Sequence, residues 1–172
     1  MALRAAPLLF KRQITPSSNR TDYAIIHATG KRMDDRANYT AAKELLAKSR
    51  RILISGHLSP DGDSLGSMIA LSRLLRAAGH EAFATADVHA LGKPGFLEGV
   101  ADLIPLRRLK SLKFDLFVYV DCAAPGRLPP EVRPFAEKLP TLTIDHHATS
   151  VPTGAASIID PEASSAGEVD GR

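Results

Sequence analysis

The chain has 172 residues, 44% hydrophobic and 24% charged, with a formal net charge of +3. That is long enough for one domain with a real core, and the composition is ordinary for a globular chain. No run of 18 or more apolar residues occurs, so no membrane-spanning helix is expected, and a lone Cys122 cannot close an internal disulfide, which fits a reducing, cytoplasmic setting.

The basic charge is local. Residues 1–33 hold Arg4, Lys11, Arg12, Arg20, Lys31 and Arg32 against Asp22, a net of +5, which leaves about −2 for residues 34–172. A general nucleic-acid patch on the main body is therefore weakly supported. Residues 1–35, which include "ITPSSNRT", show no sustained period. They read as a basic, disordered extension or the product of an upstream start, with a targeting peptide as the alternative.

The pattern changes at about Asp35. "ANYTAAKELLAKSR" places Ala41, Leu45 and Leu46 at helical spacing and predicts a helix over 37–49. "RILISG" (51–56) is a compact strand. "SLGSMIALSRLLRAAG" (64–79) gathers Leu65, Met68, Ile69, Leu71, Leu74 and Leu75 on one broad face and stops at Gly79. "HEAFATA" (80–86) reads as a strand, and "GKPGFLEGV" (92–100) as a loop with one helical turn. "RRLKSLK" (107–113) reads as solvated surface. "FDLFVYVD" (114–121) is a strongly buried strand, and a short helix is expected from near Pro130. "TLTID" (141–145) and "AASIID" (155–160) complete the strands. Strands alternating with helices predict an α/β fold, a parallel, Rossmann-like sheet with helices on both faces, over residues 36–172.

Three polar clusters follow strands: "GHLSPDGDSLGS", "DCAAPGR" and "DHHATS". In an open parallel sheet the carboxyl ends of the strands line the ligand crevice. Neighbouring strands would bring His57, Asp61, Asp63, Asp121, Asp145, His146 and His147 to one edge. Crowded carboxylates repel, and a divalent cation reverses that cost. Oxygen and imidazole donors suit Mn²⁺, and also Zn²⁺ or Fe²⁺. Two ions about 3.5–4 Å apart activate water and neutralise phosphate oxygens in phosphoester hydrolysis. Pro60 and Gly62 shape the first loop, with Gly62 free to take a positive φ and Asp63 or Ser64 able to cap the next helix. Taken singly, each cluster could be a polar turn. Their common placement after strands favours chemistry.

"HLSPDGDSLGS", "VDCAAPGRL", "IDHHATS" and "IDPEASSAGE" resemble four successive motifs of the DHH phosphoesterases. The likeness is greatest to the bacterial short-RNA exonucleases that also remove a phosphate from 3′-phosphoadenosine 5′-phosphate, and it covers roughly residues 36–168. The resemblance implies a domain binding two Mn²⁺, with Mg²⁺ or another divalent ion as substitute. It implies that His57 and Asp61 hold one ion, Asp63 and His146 the other, and Asp121 both. Asp145 would orient His146, and His147 would contact the scissile phosphate or support the metal site. Ser164 and Ser165 would be structural or supporting, and Arg127 would bind substrate or anchor its loop. Short single-stranded RNA or a nucleotide is the implied substrate, with no membrane partner. Family members continue past "ASSAGE" into a "DTG"-like segment and a glycine-rich, basic domain, so a truncated catalytic domain of impaired activity, with either marginal stability or self-association, for instance as a homodimer, is expected here. A catalytically inactive metal- or nucleotide-binding remnant is the alternative, and a pyrophosphatase or exopolyphosphatase a further one.

Overall fold

The computed structural model describes residues 35–87 and 97–171. The expectations for the N-terminal segment, and for most of the 92–100 loop, lie outside them. Helices α1 (Asp35–Lys48), α2 (Gly62–Ala77), α3 (Arg133–Lys138) and α4 (Ala166–Asp170) accompany strands β1 (Arg51–Ser55), β2 (Glu81–Thr85), β3 (Leu116–Val120), β4 (Thr141–Asp145) and β5 (Ala156–Ile159). Short 3-10 turns occupy Val100–Asp102, Leu106–Ser111 and Pro125–Arg127.

The strands form one five-stranded sheet in the order β2-β1-β3-β4-β5, with every neighbouring pair parallel. Successive strand residues point to opposite faces, and the apolar strands sort themselves accordingly. Ile52, Ile54, Leu116, Val118, Leu142 and Ile144 pack in the core that α1, α2 and α4 share. Leu53, Phe117 and Tyr119 pack in a second core with Leu109, Leu128 and Val132. The α/β sheet covered on both faces is therefore the observed architecture, although 3-10 turns and the short α3 cover the second face. Among the described residues only Leu58 and Leu74 are exposed large apolar side chains. No helix among them is long and apolar enough to cross a membrane.

Helix ends explain two departures from the expected boundaries. The N-cap of α2 is Asp61, whose Oδ1 accepts from Ser64 N at 3.0 Å, so Asp63 and Ser64 already lie inside the helix. Gly62 is accordingly the first helical residue. The left-handed positions near the site fall instead on Ser59 (φ 58°) and Asp121 (φ 57°). Helix α3 begins at Arg133 rather than near Pro130, and Pro134 sits in its first turn, where a missing N–H leaves no bond unmade. At the far end of α2, Gly79 (φ 95°) donates to Arg76 O while His80 N donates to Leu75 O, a Schellman stop that turns the chain into β2.

The link from β4 to β5 depends on Gly154, at φ 86°. A Cβ there would lie 1.7 Å from Thr141 Oγ1 and 2.7 Å from Thr141 O. Gly154→Ala is expected to destabilise the domain by roughly 3 kcal/mol or more, through both φ and overlap. A urea melt at the wild-type midpoint would contradict this close approach.

Candidate metal centre

The sheet order reverses direction between β1 and β3, which lie side by side while the chain leaves β1 toward β2. In open α/β sheets the crevice outside the strand ends at such a point is where ligands bind. The chain uses it fully. His57 follows β1, Asp121 follows β3, and Asp145, His146 and His147 lie at the end of β4. Gly56 lets the loop after β1 pass close: a Cβ there would stand 2.1 Å from Ser64 Oγ and 3.0 Å from Val120 O.

Asp121 occupies the middle. It is 2% exposed, and its N–H donates to Ile144 O at 3.0 Å. Its left-handed backbone, which aspartate tolerates better than most residues, aims the carboxylate into the crevice. Asp121 Oδ2 lies 3.6 Å from His57 Nε2, and Oδ1 lies 3.6 Å from His146 Nε2. His57, Asp61 and Asp121 can bring their ligand atoms within 4.8 Å of one another, as can Asp121, His146 and His147. Asp63 joins the second side, with Oδ2 3.3 Å from His146 Nε2.

The three imidazoles share one orientation rule. A carbonyl or carboxylate oxygen can only accept, so a ring nitrogen beside it must carry the proton. His57 Nδ1 faces Leu58 O at 3.0 Å, and His146 Nδ1 faces Ala163 O at 3.3 Å. His147 Nδ1 faces Asp145 Oδ1 at 2.8 Å. Each Nδ1 thus faces an acceptor, and on His57 and His146 the other ring nitrogen, Nε2, faces carboxylate oxygens at 3.3–3.6 Å, where a bound cation would take its lone pair. The Nδ1 of His147 lies 3.5 Å from Asp121 Oδ1 but is committed to Asp145. Asp145 therefore differs from its expected role. It accepts from His146 only at the backbone N–H, and the ring it holds is that of His147. The ring of His146 is held by Ala163 O.

Electrostatics separates the two buried aspartates. Burial, then repulsion from Asp63 and Asp61, pushes the Asp121 carboxyl up to about 6. Burial also works against charge on Asp145, but hydrogen bonds from Ser150, His147 and His146 outweigh it and hold that carboxyl below its usual range. The bond to Asp145 raises the His147 imidazole above its ordinary value, against burial and the nearby Arg127 charge. Arg127 lies in the turn whose carbonyl accepts from Leu58 N, which ties the His57 loop to the Asp121 loop.

These residues fit a divalent cation. Asp121 Oδ1 is buried without a hydrogen-bond partner, although nearly all buried polar atoms have one. Carboxylate oxygens and imidazole nitrogens converge on it, a donor set suited to Mn²⁺ and similar ions. Two contributors carried no individual signal in the sequence. Ala163 acts through a backbone carbonyl, which no side chain advertises. Ser150 stands in the quoted "DHHATS" motif, five residues beyond the Asp145 it bonds.

Comparisons with known proteins bear on the family and the fold. A family model described as the DHH family, N-terminal domain, matches residues 51–169. The bifunctional oligoribonuclease and PAP phosphatase NrnA of Thermus thermophilus is 34% identical over 127 residues, covering 70% of this chain and 35% of that protein. This chain thus spans about a third of the length of that relative. The crystal structure of an exopolyphosphatase-related protein from Bacteroides fragilis has the same fold, with a TM-score of 0.65 at 22% identity, over 78% of this chain and 42% of that one. The chain therefore belongs to the DHH family, with residues 51–169 forming the part that matches its N-terminal domain.

Proposed function

We propose that residues 36–172 form the catalytic domain of a cytoplasmic, two-cation phosphoesterase acting on short oligonucleotides or a nucleoside 3′,5′-bisphosphate. The observation that carries this reading is the buried Asp121 carboxylate, with Oδ2 toward His57 and an Oδ1 without a hydrogen-bond partner toward His146. His57, Asp61 and Asp121 would hold one Mn²⁺, and Asp63, His146 and Asp121 the other. Bound ions supply a Lewis acid that activates water and neutralises phosphate oxygens. The chain's own residues do the rest. Asp145, kept ionised by Ser150, fixes the His147 ring and favours its protonated form, so that His147 can donate from Nε2 to a phosphate or leaving-group oxygen. The N-terminus of α2 starts at the site residue Asp61 and favours an anion beside it. Arg127 adds positive charge on the His147 side.

The substrate class follows the Thermus relative, an oligoribonuclease and PAP phosphatase. The test is an assay of this chain with Mn²⁺ against a short oligoribonucleotide, a 3′,5′-bisphosphate and pyrophosphate. Release of mononucleotide or of phosphate from the first two supports the proposal. Hydrolysis of pyrophosphate alone would move the substrate class to phosphoanhydrides. Cation binding with no turnover of any of the three would make the chain a binding module.

A further inference from the structure

Next to the metal centre lies a cleft of about 470 Å³ that the roles above leave unused. That size falls within the ordinary range for small-molecule sites, about 300–1,000 Å³. Its place follows from the sheet. The segment after the Val100–Asp102 turn is tied to the end of β2, where Ile104 N donates to Ala84 O at 2.9 Å and Thr85 Oγ1 donates to Ile104 O at 2.8 Å. The rest of the lining continues the two loops of the metal centre. Leu58 follows His57, and Pro129, Pro130 and Glu131 follow the Pro125–Arg127 turn. Leu58 N donates to Arg127 O, and Val132 N donates to Pro129 O at 3.0 Å, so backbone bonds fix this part as well. The cleft is preformed, and it shares the Leu58 loop with the metal centre.

The lining selects the chemistry of the occupant. Leu58, Ile104, Pro129 and Pro130 supply apolar surface, and Leu58 keeps 46% of its own surface exposed to a ligand. Asp87 and Glu131 set two carboxylates against the one guanidinium of Arg107. That balance disfavours a phosphate, whose charge has the sign of the majority. It suits a neutral group whose edge carries both donors and acceptors. A nucleobase has two apolar faces and such an edge: a carboxylate can accept from its amino group, and a guanidinium can donate to its ring nitrogen or carbonyl oxygen. Asp87 also stands just past the end of β2. In dinucleotide-binding parallel sheets an acid about 20 residues beyond the phosphate-binding turn holds a ribose hydroxyl, while the phosphates lie at the switch point.

We infer that this cleft is a nucleoside subsite: it takes the base and ribose attached to the phosphate at the metal centre, and so favours nucleotides over pyrophosphate and other bare phosphates. The selectivity rests on the phosphoesterase reading. The binding of the base does not, because none of the proposed metal ligands lines the cleft.

The test has a metal-free arm and a catalytic arm. In the first, the wild-type chain without metal is titrated with adenosine and, separately, with inorganic phosphate, and backbone amide shifts are followed by NMR. Adenosine should move the amides of Leu58, Ile104, Arg107 and Glu131 and saturate in the millimolar range, and phosphate should leave them in place. Glu131→Ala and Arg107→Ala replace exposed side chains and so spare the core. Each should weaken adenosine binding by about 5-fold, the worth of one hydrogen bond. Circular dichroism confirms that both are folded. In the second arm, an RNA dinucleotide and its abasic counterpart are compared with Mn²⁺ present. The dinucleotide should have a KM lower by about 10-fold or more, because its base leaves water on binding. That preference should shrink in Glu131→Ala. The inference is overturned if adenosine leaves these amides unmoved or moves another surface, if phosphate moves the same set, or if the dinucleotide and its abasic counterpart share one KM. Hydrolysis of neither would defeat the phosphoesterase reading, and the adenosine titration would still decide the cleft.

Discussion

Asp121→Asn is expected to lower metal-dependent hydrolysis by roughly 10³-fold or more, because several kcal/mol of transition-state stabilisation depend on the ions it is proposed to join. The same change should make the metal-free protein more stable. Asn keeps the shape and tolerates the left-handed backbone at φ 57°. What it removes is a buried negative charge facing Asp61 and Asp63. The folded carboxyl is raised from 3.8 to about 6, so between those values the native state binds more protons than the unfolded chain. Stability from this group therefore falls as pH climbs through that window, and the penalty is complete above it. A shift of this size corresponds to an upper bound of about 3 kcal/mol, so a gain of about 1–3 kcal/mol in Asp121→Asn near neutral pH is the expected range. Steady-state kinetics and a urea melt read the two effects together. Loss of both activity and metal-free stability would mean that Asp121 is structural, and retained activity would mean that it joins no ions.

The second large effect concerns the cation itself. Mn²⁺ at about 100 times its dissociation constant should add about 2.7 kcal/mol of stability. For a domain of this size that is roughly 5–10 °C in melting temperature. The gain must be larger at about pH 7.5 than at about pH 5, because binding requires Asp121 to give up its proton. The sign is fixed by the raised carboxyl. Above about 6 the ion meets an ionised Asp121 and relieves repulsion that is already present, while below it the ion must displace a proton. EDTA should return the melting temperature to that of the metal-free chain. A shift independent of pH would place the ion elsewhere.

Much of this architecture is legible in the sequence, for identifiable reasons. Strands such as "RILIS" and "LFVYV" are short, apolar and bounded, and each proved buried on both faces. The polar clusters stand where strands end, so sheet topology alone brings His57, Asp121 and His146 together. Helix starts were less legible, because "SPDGDS" contains four serine or aspartate residues able to cap and only the loop geometry selects Asp61. The partner of Asp145 was misassigned for a related reason. In "DHH" both rings lie within reach of one carboxylate, and the ring that reaches it is His147 because the backbone carries His146 toward Asp63. The support of His146 by Ala163 O spans 17 residues and uses a carbonyl, and residue identity says nothing about such a bond.

The central claim is that two divalent cations share Asp121. Anomalous difference maps from Mn²⁺-soaked crystals, collected at the manganese edge, test it most directly. Two peaks about 3.5–4 Å apart are expected, one among His57, Asp61 and Asp121 and the other among Asp63, Asp121 and His146. A single peak held on one side of the crevice, or peaks that leave Asp121 uncoordinated, would contradict it.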